Sequence, residues 1–387
     1  MKSIIKITAV VSFLIFNIEG LNAQDGFFTQ FFNKKSFYNP AAVGLNNSMA
    51  FRVSHKSQWI TTGDPAYETT LITIEDALPC SILDWGLSLM TDREGAGRMS
   101  TLQGGLKVAA TLPLMTKGKK GRSDEHNLRI GFDFSFGRRS IDFSRLTFSD
   151  NIDPKYGFIN NTSFVVPGSG TSPSYFNPAI GAIFQSIFDR NSHQSIASNI
   201  GVSVSNVFSL GGEGFGQSAS VLGLSDNPPK QRLTMFGEFY LVPKQKRFYI
   251  SSFNPLFLYQ YQSGIQYWEI GTGVNITPFF EVGVYTHNTA FVFNDSHTDW
   301  LSFTGSIMLK SSTYSRMEID FTFSTNYKGL RNQVGPIFEV GFTYHIGRSF
   351  GCGILGDSER VGYSPGQKCP RISRAKAKMY EDVWYRN

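Results

Sequence analysis

The chain has 387 residues, 36 Lys and Arg against 30 Asp and Glu, a net charge of +6, and an aromatic load of 35 Phe and 16 Tyr beside 38 Gly. Three cysteines are too few for a disulfide scaffold, and a small positive balance does not argue for nucleic acid in a chain that opens with an export signal. No break in composition marks a second large domain, so the length suits one large unit with appendages.

Residues 1–23 have the parts of a signal peptide. Lys2 and Lys6 precede the apolar run Ile7 to Phe16, and a polar stretch ends at Leu21-Asn22-Ala23, so that cleavage after Ala23 leaves Gln24 first. That run is too short to cross a bilayer as a helix, and no later segment is long and apolar enough. The remaining way to cross hydrocarbon with every backbone N–H and C=O paired is a closed barrel.

Residues 24–48 carry Phe27, Phe28, Phe31, Phe32 and Phe37 ahead of Asn39-Pro40-Ala41. Proline is out of place in a central strand, and the residue before it is pushed to extended geometry. Two readings stay open: a periplasmic lead-in whose aromatics anchor at the interface, or a plug folded against the barrel base.

From residue 49 onward the dominant pattern is period 2. Asn127 to Gly137 puts Leu128, Ile130, Phe132, Phe134 and Phe136 on one face and Arg129, Gly131, Asp133, Ser135 and Gly137 on the other. Met317–Ser324 and Phe338–Ile346 repeat the pattern. Large apolar residues opposite charges and glycines suit a wall between lipid and a polar interior, and Phe-rich outward faces argue against a soluble periplasmic β-protein. Fourteen strand candidates follow, at 49–59, 66–76, 84–92, 98–113, 127–141, 175–188, 196–208, 231–242, 247–261, 266–277, 279–288, 299–311, 315–326 and 336–347. The expected fold is all-β, a transmembrane antiparallel β-barrel over 49–347 in the outer membrane, with both ends in the periplasm. The long connections 142–174 and 209–230 then lie outside, as do 289–298 and 327–335. Short turns near 189–195, 243–246 and 278 lie on the periplasmic side, and 114–126, with Lys117, Lys119, Lys120 and Arg122, is expected there as a basic turn.

The inward positions are charged. Early strands offer Arg52, Lys56, Lys107 and Arg129; later ones offer Glu238, Glu269, Glu281, Glu318, Asp320 and Glu339. Closure sets the first strand beside the last, so Arg52 and Glu339 are expected to approach each other. The charges serve either a lumen closed by internal ion pairs or a polarised conduit. Elsewhere the chemistry is sparse. The six His are scattered without metal-ligand spacing, Gly211–Gly216 reads as a turn because no predicted helix follows it, and nothing orders a catalytic triad. The expectation is no enzyme activity and no cofactor.

Several stretches together resemble the PorP/SprF family of Bacteroidetes outer-membrane proteins. They are Gln24-Asp25, Phe28-Thr29-Gln30, Tyr38-Asn39-Pro40-Ala41-Ala42-Val43-Gly44, Phe51-Arg52 and Lys56-Ser57-Gln58-Trp59, then Tyr67-Glu68-Thr69. Ile141–Asp150 with Ile152-Asp153-Pro154 is similar to a family loop, and Asn177-Pro178-Ala179-Ile180-Gly181 to the start of a family strand. Asn39, Pro40, Ala41, Gly44, Gln58 and Trp59 carry the family motif. Thr29 stands where the family usually has Ser. The resemblance spans nearly all of 24–347 and implies a non-catalytic component of type IX secretion. It implies help in the secretion or surface attachment of a partner adhesin or other cargo, and a link to gliding motility. Implied partners are that cargo, periplasmic or outer-membrane secretion components and outer-membrane lipid, with no nucleic acid. The alternative on the same architecture is a passive channel or small hydrophobic-solute transporter.

Residues 348–387 extend past the usual family ending as a periplasmic tail. Cys352 and Cys369 enclose a turn-rich loop in an oxidising compartment and are a candidate disulfide, with Cys80 unpaired. Arg371, Arg374, Lys376 and Lys378 precede Tyr380, Trp384 and Tyr385 at a spacing that permits a short amphipathic helix. This end is either solvated or a docking element for a periplasmic secretion protein.

Overall fold

The computed structural model describes residues 26–45, 49–59, 67–77, 83–95, 97–119, 122–159, 161–165, 170–172, 174–191, 194–207, 230–241, 250–276, 280–288, 299–312, 315–327 and 335–346. The expected signal peptide, Cys80, the Gly211–Gly216 run and the entire tail from residue 348, including Cys352, Cys369 and the segment from Arg371 to Tyr385, lie outside the described residues.

Period-2 patterning produces strands throughout: β1 Met49–Gln58, β2 Tyr67–Ala77, β3 Leu83–Glu94, β4 Met99–Lys119, β5 Arg122–Ser140, β6 Tyr175–Asn191 and β7 Gln194–Ser205. They continue with β8 Arg232–Leu241, β9 Ile250–Gln262, β10 Ile265–Ile276, β11 Phe280–Asn288, β12 Asp299–Ser312, β13 Ser315–Asn326 and β14 Ile337–Ile346. These fourteen form one closed antiparallel barrel, each strand paired with its neighbours in the chain. The ring is sealed by β1 on β14, from Met49↔Ile346 to Gln58↔Ile337. Closure leaves no free edge in the ring, the condition for a β-structure in hydrocarbon. No helix among the described residues is long and apolar enough to cross a membrane. The rim where β1 begins and β14 ends is called here the near rim, and the opposite one the far rim.

Alternation sets the two faces. In β5, Phe132, Phe134 and Phe136 are 46–49% exposed on the outside, while Arg129, Asp133 and Ser135 are buried inside. In β13, Ile319, Phe321 and Phe323 point out, and Glu318, Asp320, Thr322 and Ser324 are buried. Outward Leu, Ile, Val and Phe make an apolar belt around the wall. Trp59, at φ 59°, turns the chain off β1 and stands edge-on to Tyr67 at the start of β2, with ring centroids 4.7 Å apart.

All fourteen predicted strands are present, with one clear correction. Residues 114–126 are not a turn: β4 runs to Lys119, β5 starts at Arg122, and they pair from Met115↔His126 to Lys119↔Arg122. A register shift between Pro113 and Met115 absorbs the proline, which has no N–H for the ladder. β3 stops opposite Ala110, so this hairpin stands beyond its neighbour, and its polar sequence need not show the alternation used to find strands.

The connection after β5 is also folded. Asp142 accepts from the Ser144 N–H at 3.1 Å, from its hydroxyl at 2.5 Å and from Arg145 Nε at 3.2 Å, and so caps a 3₁₀ turn at Phe143–Arg145. Asp150 accepts from Ser163 N at 2.7 Å and Oγ at 2.9 Å, and from Thr162 Oγ1 at 3.1 Å. Phe164 lies against Phe143 and Phe148. These bonds hold both carboxyls below the usual carboxylate range, through the Ser144 hydroxyl first for Asp142 and the Ser163 N–H first for Asp150.

Candidate functional site

The lumen is filled by the chain's own residues 26–45. Phe28, Phe31, Tyr38, Ala41 and Val43 are fully buried there, although their segment belongs to no strand. Residues 26–45 are called here the plug. It sits deeper than the barrel base, since its partners lie on strands all around the wall.

The anchor is Asn39-Pro40-Ala41. Asn39 is extended (φ −142°, ψ 115°) and its side-chain oxygen accepts from Ala41 N at 2.9 Å, capping a 3₁₀ turn at Pro40–Ala42 with proline at its first position. Asn39 Nδ2 donates to the carbonyls of Ala182 at 3.2 Å and Val202 at 3.1 Å. Ser203 Oγ donates to the Tyr38 carbonyl at 2.6 Å. The wall beneath is bare: Gly131 of β5 and Gly181 of β6 are direct cross-strand partners. A Cβ on Gly131 would collide with Ala41 N, and one on Gly181 with Asn39 Oδ1. Only glycine lets backbone approach backbone this closely.

Arg129 fastens the other side of the turn. Its Nε donates to Ala41 O at 2.8 Å, one terminal nitrogen to Thr111 Oγ1 at 2.6 Å, and the other to Val43 O and to Asp84 Oδ2 at 2.9 Å. Arg129 and Asp84 are both fully buried, so the pair holds only because every partner is in place. Toward the N-terminus, Glu339 accepts from the backbone N–H of Thr29 at 2.9 Å and of Gln30 at 3.3 Å, and from Lys34 Nζ. Lys35 reaches Glu238 at 2.7 Å and Tyr240 Oη at 2.9 Å. Lys56 donates to Phe27 O at 2.8 Å and lies 3.7 Å from the centroid of its ring. Between these bonds the plug's aromatics meet the wall, Phe31 on Phe236 at 4.7 Å and Phe27 on Tyr267 at 4.8 Å.

The remaining sequence candidates pair within the wall. Lys107 bonds Asp133. Glu269 accepts from Tyr267 Oη at 3.1 Å, and Glu281 lines a cavity with Asn254 and Arg316. Glu318 faces His345 at 3.5 Å, and Asp320 accepts from Ser306 Oγ at 2.7 Å. The pair expected between Arg52 and Glu339 does not form. β1 on β14 sets Arg52 opposite Thr343 and Glu339 opposite Lys56, so Arg52 turns to Glu75 on β2 at 3.0 Å, while Glu339 is taken by the plug. Sequence reasoning passed over Lys34, Lys35, Glu75 and Asp84. The two acids sit at inward positions of β2 and β3, a signal that was present; the lysines had none, because their importance comes from where the plug lies. Gln58 ends β1 opposite Ile337, and Gly44, at φ 68°, would place a Cβ 2.7 Å from that of Asp84.

Among the described residues no group of three or more His, Cys, Asp or Glu side chains could hold a metal ion. What the arrangement can do is hold a polypeptide segment across a polar lumen.

Among solved structures the chain is similar to the CymD monoaromatic hydrocarbon channel, at 9% identity over 86% of this chain and 95% of that one, with a TM-score of 0.36. It is also similar to the P. putida toluene transporter TodX, at 9% identity over 80% and 93%, TM-score 0.34. A third is a Pseudomonas aeruginosa FadL homologue, at 10% identity over 80% and 92%, TM-score 0.29. No curated protein matches the sequence at a significant level. The family model for the type IX secretion system membrane protein PorP/SprF matches residues 20–344. That span takes in the plug and the fourteen strands up to the last two residues of β14, and the chain belongs to the PorP/SprF family of type IX secretion system membrane proteins.

Proposed function

We propose that this protein is a non-catalytic outer-membrane component of type IX secretion that helps a partner adhesin or other cargo to be secreted or held at the cell surface, with a part in gliding motility. The observation that carries this reading beyond the family is the occupied lumen. Backbone and side chains of residues 26–45 are bonded to β1, β5, β6, β7, β8 and β14, an interior suited to holding protein rather than to free passage of solutes. In this reading the near rim faces the periplasm and the far rim, with its long connections, faces outward. The loop after β5 presents Tyr156, Phe158, Ile159 and Val165, 60–84% exposed, as a surface for cargo. The tail from Arg371 to Tyr385 supplies the periplasmic contact to the secretion machinery.

Two measurements test it. Deleting the gene should remove the cargo from the cell surface while leaving it in the periplasm; unchanged surface display would defeat the secretion role. In planar bilayers the intact protein should show no large steady conductance. A large one would favour the channel alternative, and uptake of small hydrophobic solutes by loaded liposomes would decide for a transporter.

A further inference from the structure

The ladder between β8 and β9 is interrupted close to the near rim. It runs without a break from Arg232↔Gln262 to Glu238↔Leu256 and returns only at Leu241↔Phe253. The register sets Pro255 and Asn254 opposite Phe239 and Tyr240, and neither of these positions is paired across the seam. Pro255 has no N–H to give there, while on its other side the ladder to β10 is continuous, from Asn254↔Gly273 to Leu256↔Gly271. Proline inside a sheet belongs at an edge or a bulge, so this wall gives up cohesion between two neighbouring strands.

Directly behind the interruption is a cavity. β8 contributes Glu238 and Tyr240 to its lining and β9 contributes Asn254 and Leu256, the residues on either side of the seam. Glu281 of β11, Arg316 and Glu318 of β13, and Asn33 and Lys35 of the plug also line it. Lys35 is paired with Glu238 at 2.7 Å, and Glu318 faces His345 at 3.5 Å. Two amide atoms are left over. Asn254 is 7% exposed; its nitrogen donates to Glu281, but its Oδ1 has no hydrogen-bond partner among the described residues. Asn33 Nδ2 is likewise without one. The cavity thus offers an occupant one free acceptor and one free donor, beside the Glu281 carboxylate and the Arg316 guanidinium. In front of the seam the surface is apolar, with Phe239, Leu241 and Phe253 38–42% exposed. β8 has 10 residues, about the length that crosses the hydrocarbon, so its last two lie at headgroup depth.

We infer that this cavity holds the headgroup of a phospholipid bearing a primary ammonium, which enters from the near-rim leaflet through the seam between β8 and β9. The ammonium donates to the Glu281 carboxylate and to Asn254 Oδ1. The phosphate lies toward Asn33 and Arg316, and the acyl chains stay outside along Phe239 and Phe253. Polar groups behind a seam and apolar ones in front of it suit such an amphiphile. A quaternary ammonium has no N–H to donate and would leave Asn254 Oδ1 unsatisfied, so the chemistry selects phosphatidylethanolamine over phosphatidylcholine.

The full-length protein tests this after reconstitution in vesicles of equal phosphatidylethanolamine and phosphatidylcholine, release into detergent and native mass spectrometry. One phosphatidylethanolamine should stay bound, with little phosphatidylcholine; equal retention of the two means adventitious lipid only and overturns the inference. Glu281→Gln keeps the shape of the side chain and should lower the retained phosphatidylethanolamine about tenfold. Unchanged retention overturns the place given to the ammonium. Glycerophosphoethanolamine supplied without lipid should leave no adduct, and a persistent one makes this a solute site and overturns the lipid. A photoreactive group on the acyl chain of phosphatidylethanolamine reads the seam in the unaltered protein, whatever the variant does. Labelled peptides should cluster on residues 232–241 and 250–262; labelling spread evenly around the belt overturns entry between β8 and β9.

Discussion

Arg129 concentrates the energetics of the plug in one side chain. Arg129→Met removes the bonds to Ala41, Val43 and Thr111 and takes the guanidinium away from the buried Asp84 carboxylate, a defect worth about 3–5 kcal/mol. Equilibrium unfolding in detergent should show a loss of that order, and adding Asp84→Leu should recover part of it; no recovery would mean that the ion pair is not what Arg129 supplies. Glu339 gives a sharper test of partner identity. Exchanging Lys34 and Glu339 (Lys34→Glu with Glu339→Lys) should be less damaging than the sum of the single changes. Exchanging Arg52 and Glu339 should show no such rescue, because Arg52 is bonded to Glu75 instead. Double-mutant cycles on barrel stability measure both.

At the scale of elements, the plug depends on the Gly131–Gly181 floor. Gly131→Ala should leave the barrel inserted but unseat Asn39-Pro40-Ala41, since the new Cβ meets plug backbone that cannot yield. The expected readout is rapid cleavage between residues 26 and 45 by added protease with the strands still protected; an intact, protected plug would contradict the close approach. The loop after β5 is held differently, by carboxylates in water. Asp150 has its pKa lowered by bonds from Ser163 and Thr162. Its contribution is therefore complete above the ordinary carboxylate value and is lost as pH falls through the lower, folded value. Asp150→Asn should loosen residues 150–163 at neutral pH, read as faster amide exchange there, and should abolish any further loosening of this segment on acidification. An acid transition of unchanged size in the variant would assign it to another group.

For the whole molecule the decisive term is the match between wall and bilayer. Phe132 is 46% exposed on the outer face of β5, and Phe132→Arg sets a charge in hydrocarbon at a cost of about 2–4 kcal/mol near the midplane. Assembly, read as the heat-modifiable folded band in membranes, should fall sharply, whereas Phe132→Leu should assemble normally; equal assembly of the Arg variant would reverse the two faces. The wall is also what makes family membership and fold agree. The PorP/SprF match runs to residue 344, two residues short of the end of β14, so the shared sequence covers a ring that closes on itself.

The sequence by itself determined the wall. Strand count, inward and outward faces, and membrane placement all follow from period-2 alternation, which is local, and the hydrocarbon enforces it at every turn of the ladder. The hairpin beyond β3 escaped because its tip, Lys117-Gly118-Lys119-Lys120-Gly121-Arg122, carries no such alternation. Tertiary structure decided the interior. Whether Phe27 to Ala41 lay at the interface or in the lumen could not be read from a segment without periodicity. Nor could a list of inward charges tell that Glu339 would bond Lys34 and leave Arg52 to Glu75. Those pairings depend on the register of β1 against β14 and on a plug that brings distant residues together, and neither leaves a repeat in the sequence. Gly131 and Gly181 show the limit plainly: each is one more small inward residue along its strand, and only the closed barrel, by setting them side by side under Asn39, makes them the floor on which the plug rests.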